Sequence, residues 1–239
     1  MQQYFVNEIN NSFRLKDEDF YHLTTVLRAK NKRIICIKDD IAYLCDFIYD
    51  GNEYTIKIIE KQDRDNELSV DIELYQALIR NENFDLVLQK ATELGVSSIA
   101  PTIFTRNVVK IDKSKEDTKI KRYETIVKNA SEQSHRNIVP EILPITNLKD
   151  ITLCDGEIGI VCFEKCDTTK NLSTLKNIIK NSKKIKVVIG PEGGITNEEH
   201  LLLINKGFYT VSLGKRILRS ETAAFNILSI LEYIIEMEN

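Results

Sequence analysis

The chain has 239 residues, 42% hydrophobic and 29% charged, with a formal net charge of -3. That length suits two domains, the balance fits a globular protein, and the slight acidity argues against bulk attraction to nucleic acid. No apolar run approaches the ~20 residues of a membrane span, and Met1-Gln2-Gln3-Tyr4-Phe5 lacks the basic opening of a secretory signal.

The N-terminal part reads mainly as β. A helix is predicted over Glu18–Arg28, where Phe20, Leu23, Thr24 and Leu27 form a stripe. Strands follow at Arg33–Ile37, Ala42–Ile48 and Tyr54–Ile59, split by Asp39-Asp40 and Asp50-Gly51-Asn52 at hairpin spacing. Short strands this close together predict a small β-barrel. The polar run Gln62–Glu67 reads as a linker, so one domain is expected over residues 1–68 and another over 69–239.

Beyond the linker, strands alternate with helices. Strands are expected at Val70–Ala77, Val96–Pro101, Ile158–Phe163, Ile185–Ile189 and Thr210–Leu213. Helices are expected at Asn83–Leu94, Lys119–Gln133, Leu172–Lys180, Asn197–Lys206 and Glu221–Glu236. Gly95 suits a left-handed helix stop. Thr196-Asn197-Glu198-Glu199 has the form of a capping box, and Ser220 suits an N-cap. The alternation predicts an α/β domain with a mostly parallel sheet, whose ligands bind beyond the carboxyl ends of the strands.

The 5 cysteines (Cys36, Cys45, Cys154, Cys162, Cys166) are odd in number and show no Cys-x-x-Cys spacing. They read as thiols in a reducing cytoplasm, and no histidine beside Cys162 and Cys166 completes a metal site. Residues 105–136 carry nine basic side chains against five acidic ones. This strip is either a solvated helix face or a phosphate-binding one. His135 at its end is either an acid–base group or a solvated helix-end histidine.

Two loops stand out. Gly190-Pro191-Glu192-Gly193-Gly194 follows one strand, and Leu213–Ala223 follows the next. The first is tight, and its central carboxylate argues against a phosphate cradle. It suits backbone contact with a neutral or cationic small molecule, or is a turn without a ligand. The second places Arg216 and Arg219 beside Glu221, as a clamp for an anion or as a structural Arg–Glu pair.

These residues carry a resemblance. The chain resembles the bacterial 16S ribosomal RNA uridine-N3 methyltransferases (ribosomal small subunit methyltransferase E), within the SPOUT superfamily. The likeness runs through His22-Leu23, Val26-Leu27-Arg28, Gln89–Val96, Arg106, Glu132–Arg136, Val139–Ile142, Gly190–Gly194 and Leu213–Ala223. It implies a PUA-like RNA-binding barrel before an α/β domain with a trefoil knot, a homodimer, and no metal. It implies S-adenosylmethionine as cofactor, held by Phe163, Gly190, Pro191, Glu192, Gly193, Gly194, Leu213, Gly214, Ile217 and Leu218. It implies a substrate in 16S ribosomal RNA of the small subunit.

Methyl transfer to N3 of a uridine needs a cation to hold the uracil anion and a group to take the proton. Arg219 and Arg136 are the expected cations, Glu221 or Glu132 the expected acceptor, and Arg28, Arg106 and Arg136 the expected RNA contacts. Relatives often carry two arginines where Gln2 and Gln3 stand, a Gly-Asp turn at Asn31-Lys32, and an acidic residue at Thr105. Ribose 2′-O methylation by a related knotted enzyme, or RNA binding without catalysis, are the alternatives.

Overall fold

Residues 1–9, 11–109, 113–164, 175–179 and 182–237 are described in the computed structural model. They form two units: Met1–Glu67 with Ser131–Ile138, and Leu68–Ala130 with Val139–Asn239. Cys166, Lys110 and the outer residues of the helix expected over 172–180 lie outside the described residues.

In the first unit the strands are β1 (Gln3–Phe5), β2 (Asn7–Ile9), β3 (Ser12–Arg14), β4 (Asn31–Lys38), β5 (Ile41–Tyr49) and β6 (Tyr54–Lys61), with helix α1 (Asp17–Tyr21). A four-stranded sheet runs β1-β4-β5-β6, and β2 pairs with β3 as a separate ladder. The first three strands escaped sequence reading because three residues are too few to show a period. The helix expected over Glu18–Arg28 is corrected: α1 passes into a π-helical turn over His22–Val26. Thr24 Oγ1 donates to Phe20 O at 2.8 Å, the kind of back-bond that bends helices. The wider turn carries Leu23 into the core, fully buried, with Tyr4, Ile34 and Phe47.

The second unit holds strands β7 (Asp71–Ala77), β8 (Ser98–Ile103), β9 (Glu141–Ile142), β10 (Thr146–Asn147), β11 (Glu157–Cys162), β12 (Lys184–Ile189) and β13 (Tyr209–Val211). Its helices are α2 (Asn81–Glu93), α3 (Glu116–Ser134, which ends in the first unit), α4 (Leu175–Ile179), α5 (Asn197–Asn205) and α6 (Ser220–Met237). The sheet runs β10-β8-β7-β12-β11-β13, with β9 beside β8. Every pair in it is parallel. Alternate residues feed two cores, as a sheet covered on both faces requires. Leu74, Ile160 and Val187 enter one cluster with helices α2 and α6, while Tyr75, Val161 and Val188 enter the other with Phe208 and Leu203.

Local signals in this unit behave as their chemistry dictates. Gly95 has φ +83° and its N–H donates to Thr92 O at 3.1 Å, ending α2. Thr196 accepts from Glu199 N at 3.1 Å while Glu199 Oε2 accepts from Thr196 N at 2.9 Å, closing the capping box of α5.

Candidate functional site

The carboxyl ends of β11, β12 and β13 lie side by side, because β11 pairs with both of the others. Their three following loops enclose a cavity of about 370 Å³. Phe163 and Glu164 form one wall, Gly190 to Ile195 a second, and Ser212 to Ser220 a third. All ten residues expected at the cofactor, from Phe163 to Leu218, line it, and so does Arg219.

Close packing explains the glycines. A Cβ on Gly190 would lie 2.5 Å from Ile195 Cγ1, and one on Gly193 would lie 3.1 Å from Arg106 Cβ. The loop therefore sits tight against buried Ile195 beneath it and against the β8–α3 connection beside it. Arg106 Nη1 donates to Gly193 O at 3.0 Å, which fixes this exposed arginine at the rim. Glu199 Oε1 also accepts from Thr105 N at 2.7 Å, so the α5 cap holds the segment that carries Arg106.

The walls are chemically mixed. Phe163, Leu213, Ile217 and Leu218 offer carbon surface; Glu164 and Glu192 offer carboxylates; Lys215, Arg216 and Arg219 offer cations. Ile217 is 86% exposed at the cavity wall. Cys162 at the end of β11 is pushed up to about 12 by burial, so it stays a neutral thiol. Among the described residues, no group of three or more His, Cys, Asp or Glu is placed to hold a metal ion.

Some features were not legible in sequence. The His200 ring stacks on Phe163 with centroids 4.0 Å apart, and its Nε2 lies 2.8 Å from Thr210 Oγ1. A lone helix histidine carries no signal of this. Ser220 is corrected from N-cap to first helical residue. Its hydroxyl donates to Gly190 O at 2.6 Å and accepts from Gln76 Nε2 at 2.8 Å.

The remaining expected residues are placed as follows. Glu221 follows Ser220, is 7% exposed, and its Oε2 has no hydrogen-bond partner among the described residues. Neither it, Glu132 nor Arg136 is among the described residues lining the cavity. Glu132 and Arg136 belong to the first unit. There Glu132 Oε1 accepts from Phe5 N at 3.4 Å. Arg136 is 4% exposed, and its Nη2 meets Glu67 Oε2 at 2.5 Å. That pairing gives a guanidinium expected at RNA or at the reacting base a structural partner within the first unit. Gln3 serves the same cluster: Nε2 donates to Arg136 O and Oε1 accepts from Arg64 Nη2. Arg28 is exposed at φ +51°, where the π-helical turn ends.

The family model of the RNA methyltransferase domain matches residues 66–232. The chain is 35% identical to Ribosomal RNA small subunit methyltransferase E of Mesomycoplasma hyopneumoniae, over 96% of this chain and 98% of that one. The protein of the same name from Bacillus subtilis is 29% identical, over 99% and 98%. The crystal structure of the Neisseria gonorrhoeae protein of that name, bound to S-adenosyl methionine, superposes with a TM-score of 0.86 at 28% identity, covering 98% of both chains. The chain belongs to the ribosomal RNA small subunit methyltransferase E family.

Proposed function

We propose that the protein transfers a methyl group from S-adenosylmethionine to N3 of a uridine in 16S ribosomal RNA of the small subunit. Family membership supports the coarser statement directly: it is an S-adenosylmethionine-dependent ribosomal RNA methyltransferase. The observation that carries the reading is the convergence of both late glycine loops and Phe163-Glu164 on one cavity.

The residues present fit the cofactor. Gly190 and Gly214 present main chain without a Cβ, Leu213, Ile217 and Leu218 suit a planar ring, and two carboxylates suit a positive centre. When bound, it supplies a methyl group activated by a sulfonium. The chain's own task is to hold the uridine in line and exclude water. Arg219 stands at the cavity to stabilise negative charge on a uracil oxygen. Glu221 or Glu132 is the acceptor of the N3 proton, Glu221 following directly on the cavity-lining Ser220. Arg106 at the rim positions a phosphate.

We read residues 1–68 as a PUA-like RNA-binding barrel presenting Arg28, and residues 69–239 as the methyltransferase domain with a trefoil-knotted backbone. The family resemblance further supports a metal-free homodimer acting in the cytoplasm. No helix among the described residues is long and apolar enough to cross a membrane.

The test is labelling. Purified protein, radiolabelled S-adenosylmethionine and small subunits lacking the modification are expected to yield 3-methyluridine on nuclease digestion. Label on a ribose 2′-oxygen would replace the base assignment. RNA binding with no transfer, and no affinity for S-adenosylhomocysteine, would replace catalysis altogether.

A further inference from the structure

Gln76, one residue before the end of β7, lies beside the glycine loop, since it pairs in register with Ile189, the residue before Gly190. It is fully buried. On its face of the strand Leu74 and Leu78 are buried and apolar, and the other buried polar side chain of β7, Glu73, has an ion-pair partner in Lys184. A buried amide there is out of character. Packing does not explain it, because Oε1 has no hydrogen-bond partner among the described residues and carries a desolvation cost.

What the amide does is visible at its other end. Gln76 Nε2 donates to Ser220 Oγ at 2.8 Å and, more weakly, to Ala77 O at 3.2 Å. Occupied as an acceptor, the Ser220 hydroxyl turns its proton to Gly190 O at 2.6 Å. Without the amide donor, that hydroxyl has no side-chain partner to fix its direction. The relay therefore joins three segments: the end of β7, the first glycine loop, and the segment that carries Arg219.

We infer that Gln76 is a positioning residue for the cofactor cleft, holding the two glycine-bearing loops at a fixed spacing through the Ser220 hydroxyl. This rests on the reading of the cavity as the S-adenosylmethionine site. Gln76 touches no reacting atom; it acts through Ser220.

Calorimetry with S-adenosylhomocysteine on the full chain tests it. Gln76→Met keeps the volume and removes both the donor and the orphaned acceptor, so the thermal midpoint of the ligand-free protein should hold or rise. The dissociation constant should increase about five- to tenfold, the size of one net hydrogen bond. Ser220→Ala should weaken binding at least as much. Because both changes break one relay, the double variant should bind no worse than Ser220→Ala alone. A purely structural Gln76 would lower the midpoint and leave affinity within twofold. Should Gln76→Met fail to fold, Ser220→Ala against Ser220→Thr asks the same question from the loop side, the threonine restoring affinity. Affinity unchanged in Gln76→Met, or additive losses in the double variant, overturns the inference alone. A wild-type protein that binds no S-adenosylhomocysteine overturns the cofactor reading and the inference together.

Discussion

Gly190→Ala is the substitution whose consequence the structure specifies most closely. The added methyl would lie 2.5 Å from Ile195 Cγ1 and 3.2 Å from its Cδ1. Ile195 is 1% exposed and packs in the cluster of Phe163, Leu203 and Phe208, so it cannot swing aside. Overpacking of this kind costs about 1–3 kcal/mol. At roughly 2–4 °C per kcal/mol for a chain of this size, a 2 kcal/mol loss lowers the midpoint by about 4–8 °C. The relief of the clash must move residue 190, whose carbonyl accepts the Ser220 hydroxyl, so S-adenosylhomocysteine affinity should fall as well. Scanning fluorimetry and calorimetry on the same samples read both effects. Gly156→Ala is the control: it has φ +83° but nothing within 4 Å of a Cβ, so it should lose stability without losing affinity. Ile195→Ala removes the obstructing carbons at a cost of about 2–5 kcal/mol on its own. The double variant should then lose at least ~1 kcal/mol less than the two single losses combined. Additivity within ~0.5 kcal/mol would refute the clash and the packing argument behind this loop.

Arg219→Ala should reduce turnover by about 10²–10³-fold with an unchanged midpoint, as for other lost anion stabilisers; full activity would remove Arg219 from the chemistry. Arg136→Ala should destabilise the first unit by about 1–3 kcal/mol, because Glu67, a partly buried carboxylate, loses its cation and keeps only the Asn137 and Ile138 N–H donors. Urea unfolding followed by a probe in that unit reads it, and an unaltered midpoint would contradict the structural role. Burial holds His135 and His200 below the ordinary histidine value, with Arg64 adding to it at His135 and Glu164 opposing it at His200. The unfolded chain then binds protons first, so stability is fully present above a pH of about 6.5 and declines as pH falls through that value toward the folded ones. Urea midpoints at two pH values should show the decline, and His200→Gln should make it shallower; a steeper decline in that variant would reverse the sign of the argument.

Legibility in sequence followed the range of the interaction. The α5 cap was readable because Thr196 and Glu199 meet within one helical turn. Gly95 was readable because a left-handed stop is a property of one residue. Both late loops were readable because apolar runs and glycines mark strand ends. The π-helical turn was not, since a stripe of Phe20, Leu23, Thr24 and Leu27 fits a regular helix equally well. The ion pair of Arg136 was not legible for another reason: its partner Glu67 lies 69 residues away, in the stretch read as a linker.

The sequence alone determined the longer strands and helices of the second unit, which loops lack side-chain bulk, and that these loops sit at carboxyl ends of a parallel sheet. Only the tertiary structure decided that β12 lies between β7 and β11, and hence that Gln76, Ser220 and Gly190 meet across a separation of up to 144 residues. Hydrophobic period reports how deeply a strand is buried. It does not report which strand is the neighbour, and a hydrogen bond between distant residues leaves no local trace in composition or spacing.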